Sequence, residues 1–383
     1  MEMVQTYNNH LVIVFAIDHY NPLGVIRSLG ENGISPIFIA VKHRVGLGVK
    51  SKYVSQAYQV ESIEEGYKLL MTQYGDIYQK TGYKPFLLFS DDKSIGYFDL
   101  RYDEVKEKFI TYNAMGTQGR IMEYMDKKKI LDLAEKYGLN VLRSVVVKRG
   151  EIPKGIEYPV ITKDINPNAG AWKSDVFICN DEKDLRDAFE KIVSPTVLLQ
   201  KYIEKKTEVA FEGCSVNCGK SALIAIESTY RYCIPGYYSP FMDVTSPKDR
   251  KLVSAMKSML AEIGFEGIFE IEFIVGKDGT PYFLEINFRN ATWSYSATKA
   301  GMPLPYLFIK GMLDGDLKDA GRPVPDGFTA MVEPIDYAKR MEMGISSVGE
   351  WLADFKKANC TFYYCDKDPE PFYEMVRNWD KLK

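Results

Sequence analysis

Glu285, Asn287 and Arg289 occupy every second position of Phe283-Leu284-Glu285-Ile286-Asn287-Phe288-Arg289. Alternate side chains of a strand share a face, so a carboxylate, an amide and a guanidinium line up on one surface. Phe269-Glu270-Ile271-Glu272-Phe273 lies just upstream, across the turn signal Lys277-Asp278-Gly279, and adds Glu270 and Glu272 on the adjacent strand. Oxygen ligands of this kind suit Mg²⁺ (or Mn²⁺), which takes one or two carboxylates and completes its shell with phosphates and water. The planar fork of an arginine beside them suits a terminal phosphate. The competing assignment is a solvated sheet face laced with ion pairs, and alternation alone leaves both open.

Two lysines bear on the choice. Lys127 opens a predicted helix, where the dipole and the free N–H groups already favour phosphate. Lys163 ends a predicted strand, Pro159 to Lys163, directly before a polar stretch from Asp164 to Ser174 that contains Gly170 and reads as a loop able to close. Either lysine alone is an ordinary surface residue. Their order along the chain, followed by Glu…Glu-x-Asn-x-Arg, is much harder to obtain by chance.

Several chemistries are excluded. The three histidines are His10, His19 and His43, so His-dependent hydrolysis and HExxH zinc chemistry are not expected in the larger part of the chain. Cys214 and Cys218 have loose metal-ligand spacing with no second pair nearby, and the six cysteines are too scattered for a disulfide framework. Gly219-Lys220-Ser221 resembles the end of a P-loop, but it joins two predicted strands and reads as a hairpin turn. A formal net charge of −3 argues against a broad nucleic-acid surface. Met1 to His10 has no signal-peptide pattern and Leu11 to Ile17 is too short to span a bilayer, so a cytoplasmic protein without a membrane partner is expected.

The elements that must position these groups follow from periodicity. With 383 residues, two or three domains are expected. Strands at Leu11–Ile17, Ile37–Val41 and Phe86–Phe89 alternate with helices from Asn21 to Leu29 and Ser62 to Tyr78, which predicts an open parallel α/β domain over 1–115. Its first strand leads into Asp18-His19-Tyr20-Asn21-Pro22-Leu23-Gly24 without the G-x-G-x-x-G of a dinucleotide site. Beyond it come a helix from Lys127 to Tyr137, strands at Val141–Val147, Pro159–Lys163 and Val197–Gln200, and an antiparallel pair Glu208–Val216 with Ala222–Glu227. A helix from Pro247 to Ile263 precedes the hairpin of Ile268–Val275 and Tyr282–Asn287.

This order resembles the ATP-grasp superfamily over roughly 116–313. Glu285–Arg289 through Thr298-Lys299-Ala300-Gly301-Met302-Pro303-Leu304 is similar to the ATP-grasp halves of carbamoyl-phosphate synthetase. Asp368-Pro369-Glu370-Pro371-Phe372 and the domain order look more like D-aspartate ligases and related carboxylate–amine ligases. The resemblance implies an α/β fold, with an α+β ATP-grasp part. Its units would be a pre-ATP-grasp domain (1–115), a small subdomain (116–195), a central domain with the Mg/ATP site (196–313) and a C-terminal extension on the core (314–383).

It also implies roles. Lys127 would meet the α-phosphate and Lys163 the α- and β-phosphates. Gln200, Lys201, Tyr202 and Ile203 would cup adenine, and Glu208 the ribose hydroxyls. Glu272, Glu285 and Asn287 would carry one or two Mg²⁺ ions, and Arg289, with Lys163, would serve catalysis at the transferring phosphoryl group. Arg231 is a candidate substrate clamp, with a surface ion pair as the equal alternative, and Lys173 a candidate to reach the phosphates from the loop. The implied reaction activates a carboxylate as an acyl phosphate and joins it to an amine. The expected partners are those two small molecules, and a homodimer is left open. Carboxyphosphate chemistry and a non-catalytic nucleotide-binding module are the alternatives.

Overall fold

The computed structural model describes residues 7–165, 175–234 and 238–382. The first unit is a parallel sheet of β1 (Val12–Ile17), β2 (Ile37–Val41), β3 (Gln56–Val60), β4 (Phe86–Phe89) and β5 (Ile110–Thr111), in the order β3-β2-β1-β4-β5. β1, β2 and β4 are apolar runs buried almost throughout, as strands covered on both faces must be. The order reverses between β1 and β4, which leaves a crevice at the carboxyl ends of those two strands. The predicted Ser62–Tyr78 helix is two pieces, Ile63–Tyr74 and Ile77–Thr81, because Gly75 closes the first.

A short strand β6 (Asn113–Ala114) pairs with the large sheet and hands the chain over to it. The second unit is an antiparallel sheet of β7 (Ser144–Lys148), β8 (Val160–Asp164), β9 (Ile178–Cys179) and β10 (Thr196–Lys201), ordered β7-β10-β8-β9 with a small core of its own. β7 starts three residues later than the sequence suggests, since Val141 instead bridges to Phe283.

The large sheet contains β11 (Lys205–Val216), β12 (Ser221–Tyr230), β13 (Phe241–Thr245), β14 (Phe265–Gly276), β15 (Pro281–Asn287), β16 (Thr329–Met331) and β17 (Cys360–Thr361). Their order is β15-β14-β11-β12-β13-β16-β17. The tripeptide Gly219-Lys220-Ser221 is part of the β11–β12 turn, where Asn217, Cys218 and Gly219 all have positive φ. The helix predicted from Pro247 begins at Arg250, because the Asp249 carboxylate caps it by accepting the Lys251 and Leu252 N–H groups.

Residues after 313 add two strands to this sheet and also grip the first unit. Arg27, fully buried, donates to the Asp368 carboxylate at 2.9 Å and to the carbonyls of Phe362, Tyr363 and Asp368. Asp368 also accepts from the Ser51 hydroxyl and the Lys52 N–H. A buried ion pair of this kind needs such further hydrogen bonds to offset the desolvation of both charges.

Candidate active site

The β14–β15 hairpin sets the centre. Its register puts Glu270 opposite Asn287 and Glu272 opposite Glu285. The Asn287 amide nitrogen donates to Glu270 Oε2 and to Glu272 Oε1, each at 2.8 Å. Its Oδ1 accepts from Arg289 Nη2 at 3.2 Å. Arg289 reaches the first unit as well: Nε and Nη2 hold the two Asp92 oxygens at 2.9 and 3.1 Å. Asp92 opens the helix Asp92–Asp99 directly after β4. One strand therefore links the carboxylate cluster to the crevice of the parallel sheet.

The lysines arrive from the other side. Asp126 caps the helix Lys127–Lys136 by accepting the Lys129 N–H, so Lys127 is the first helical residue. The Lys127 N–H donates to the Ile165 carbonyl, which brings the helix start beside the end of β8. Lys127 Nζ lies 3.3 Å from Glu285 Oε2. Lys163 Nζ, on β8, donates to Gln200 Oε1 at 2.8 Å. Gln200, expected at the adenine, thus lies beside Lys163, and its amide oxygen keeps a second lone pair. Gln200 is buried, while Lys201, on the opposite strand face, donates to the Tyr158 carbonyl. Tyr202 and Ile203 follow in the link from β10 to β11, and the Tyr202 N–H donates to Pro159. Glu208 on β11 is paired with Lys205.

Arg231 takes the surface alternative. Its Nε is 3.6 Å from Asp243 and its guanidinium sits over the Phe241 ring, 4.4 Å from the centroid. Lys173 and most of the Asp164–Ser174 loop, 166–174, lie outside the described residues.

The electrostatics follow from burial and sign. Lys127, then Lys163 and Arg289, hold Glu285 below the usual carboxylate range against the effect of burial. Burial works against the charge of Lys127, and Glu285, then Asp92 and Asp164, outweigh it, so its pKa is raised. Lys163 is lowered, chiefly by burial. Glu270 and Glu272 are pushed far up, by burial first and then by neighbouring carboxylates. Glu212, on β11 opposite Glu270, is raised to about 7 by burial; its Oε2 accepts from the Ser294 hydroxyl and its Oε1 has no partner.

A carboxylate cluster held at such a cost in charge repulsion fits a divalent cation, which would relieve it. Among the described residues no group of three or more His, Cys, Asp or Glu could hold a metal by itself.

Sequence reasoning missed Asp92, Glu212 and Tyr230 as neighbours of the site. Tyr230 is half-buried beside Glu208, and burial followed by Glu208, Glu272 and Glu270 pushes its hydroxyl far up. It sits in the aromatic run Thr229–Tyr232, which gave a usable signal. Asp92 gave none, because its partner is 197 positions away.

No family model matches the chain. It is 24% identical over 213 residues to the carbamoyl phosphate synthase large chain of Sulfolobus acidocaldarius, a match covering 52% of this chain and 20% of that protein. The chain thus spans about a fifth of that relative's length. The L-amino acid ligase from Bacillus licheniformis superposes with a TM-score of 0.61 over 82% of this chain and 78% of that one, at 13% identity. The chain has the ATP-grasp fold. The biotin carboxylase domain dimer of Hydrogenobacter thermophilus 2-oxoglutarate carboxylase, solved with MgADP and bicarbonate, superposes with a TM-score of 0.60 at 18% identity, covering 83% and 73% of the two chains. The resemblance to the ATP-grasp superfamily and to carbamoyl-phosphate synthetase stands. Among the described residues, no helix is long and apolar enough to cross a membrane.

Proposed function

We propose that this protein is an ATP-dependent ligase that activates a carboxylate as an acyl phosphate and joins it to an amine, releasing ADP and phosphate. The observation that carries this reading is the convergence on Glu285 and Asn287 of Lys127 from a helix start, of the Lys163 charge from a strand end and of Arg289 from the segment just after β15. Phosphoryl transfer asks for positioning and charge neutralisation more than for a side-chain nucleophile, and that is what this set offers.

Lys127 and Lys163 would hold phosphate oxygens, and the segment Gln200–Ile203 would receive the base. Glu285, kept ionised by Lys127, would hold Mg²⁺ (or Mn²⁺) together with Glu272 and Asn287. Bound Mg²⁺ would offset the phosphate charge. Asn287 Oδ1 is engaged by Arg289, so the amide would share it or release it on loading. Asp92 takes one edge of the Arg289 fork and leaves Nη1 for the reacting oxyanion. The carboxylate would attack the γ-phosphorus, ADP would leave, and the amine would displace phosphate from the acyl phosphate. The likeness to a carbamoyl phosphate synthase keeps bicarbonate among the carboxylates to be tried. A homodimer is the assembly to test by light scattering.

The direct test is ADP release with Mg²⁺ and pooled carboxylic acids, bicarbonate included, using pooled amines or hydroxylamine as acceptor. Carboxylate-dependent ADP release with hydroxamate formation supports the reading. Nucleotide binding without any carboxylate-dependent turnover would leave a binding module instead.

A further inference from the structure

The crevice at the carboxyl ends of β1 and β4 has a donor, on His19, that phosphate and metal handling do not use. His19 follows β1 and caps the helix Tyr20–Gly30: its Nδ1 accepts the Asn21 N–H at 3.2 Å. An accepting Nδ1 fixes the hydrogen of a neutral imidazole on Nε2. Among the described residues Nε2 has no hydrogen-bond partner. Arg289 comes from the large sheet and reaches the same crevice through Asp92, which stands just after β4, the strand paired beside β1. Its Nε and Nη2 are taken by Asp92 and Asn287, and Nη1 has no partner among the described residues.

The surroundings favour an anion. The His43 ring lies tilted at 60° to that of His19, 6.2 Å between centroids, and Arg44 bears on His43. The acids at this end are already committed. Asp18 accepts the Leu47 and Gly48 N–H groups, and Asp91 accepts those of Ile17 and Ser94. Among the described residues the buried Ser90 hydroxyl there has no partner and is free to donate. Burial, then His43 and Arg289, push the His19 imidazole down to about 3, so at neutral pH it is an uncharged N–H donor.

We propose that His19 is a substrate-binding residue: its Nε2–H, from the parallel-sheet unit, and Nη1 of Arg289, from the large sheet, together grip the carboxylate that is to be activated. The assignment rests on the ligase reading above. It makes the parallel-sheet unit a direct contributor to carboxylate recognition, with His19 and Arg289 as a two-point clamp. Each carboxylate oxygen then has one donor, and the nucleophilic oxygen is presented to the phosphate with its remaining lone pairs free.

The test combines a spectrum and a kinetic split on the full chain. With only three histidines in the sequence, a long-range ¹H–¹⁵N spectrum compared with that of His19→Ala assigns the His19 ring directly. The Nε2–H tautomer is expected at neutral pH, and the Nδ1–H tautomer would overturn the proposal whatever the kinetics show. In the hydroxylamine-trapped ADP-release assay, His19→Ala should raise the KM for the active carboxylate pool about 10- to 100-fold, the worth of one hydrogen bond to a charged group. The KM for ATP should stay within about twofold. His19→Gln, which restores an N–H near the Nε2 position, should recover part of the loss. Wild-type protein that responds to no carboxylate sinks the ligase reading itself. A wild-type response that His19→Ala leaves intact, or that shifts only with ATP, sinks the His19 assignment alone.

Discussion

Replacing Arg289 by lysine separates charge from geometry. Arg289 makes two charge-assisted hydrogen bonds to Asp92, at 2.9 and 3.1 Å, and one to Asn287 at 3.2 Å, with its side chain only 15% exposed. A lysine keeps the charge but is a single point donor, so it retains one contact to Asp92 and cannot also present Nη1 to the reacting oxyanion. Losing one charge-assisted bond should cost about 1–2 kcal/mol in stability. Losing a donor aimed at the transferring phosphoryl group should lower kcat by about 10²–10³. Binding of a non-hydrolysable ATP analogue with Mg²⁺ should change by less than about threefold, since the Lys127–Lys163–Glu285 set is untouched. The assay is carboxylate-dependent ADP release, with nucleotide affinity measured calorimetrically on the same preparations. Asp92→Asn supplies the control: it keeps Arg289 but loosens its orientation, with an expected loss of about tenfold. If Asp92 acts only through Arg289, adding Asp92→Asn to Arg289→Lys should cost little more. Near wild-type turnover in Arg289→Lys would refute the reasoning, as would a loss of turnover fully matched by a loss of nucleotide affinity.

Combining Lys163→Ala with Glu285→Ala should abolish Mg²⁺-dependent binding of the ATP analogue, and binding that survived would place the nucleotide elsewhere. Arg27→Ala strands the buried Asp368 carboxylate and should cost about 3–5 kcal/mol, seen as a lower urea midpoint; a cost under about 1 kcal/mol would show that the C-terminal grip is not a stabilising contact. Burial holds the Asp99 carboxyl up to about 6 against hydrogen bonds from the Met122 and Ile121 N–H groups, and its Oδ1 has no partner. The folded protein therefore keeps a proton that the unfolded chain loses near pH 4, so this group's contribution falls as pH rises from about 4 to about 6, by roughly 2–3 kcal/mol. Asp99→Asn, which still accepts the Met122 N–H, should flatten that decline in denaturation midpoints; an unchanged slope would mean the carboxyl titrates normally.

Much of this protein was determined locally, and those parts were legible in its sequence. The two-residue period of a strand put Glu285 and Asn287 on one face with Glu270 and Glu272, and the hydrogen bonds of Asn287 to both glutamates agree with that alternation. Arg289 lies beyond the end of β15 and is held by Asp92 instead. The helix start at Lys127 was legible, and the apolar runs of β1, β2 and β4 announced a buried parallel sheet. Tertiary structure decided which partners those groups meet. Asp92 orients Arg289 across 197 positions, and Asp368 holds Arg27 across 341. Neither pair leaves a periodic trace, because a contact between two domains constrains one residue on each side and not a pattern. The same applies to the contacts of Gln200 with Lys163 and of Arg231 with Phe241 and Asp243, which no periodicity announced. Residue type and spacing say which groups a face presents; only the folding of one sheet against another says what stands opposite, since long-range packing carries no local sequence signal.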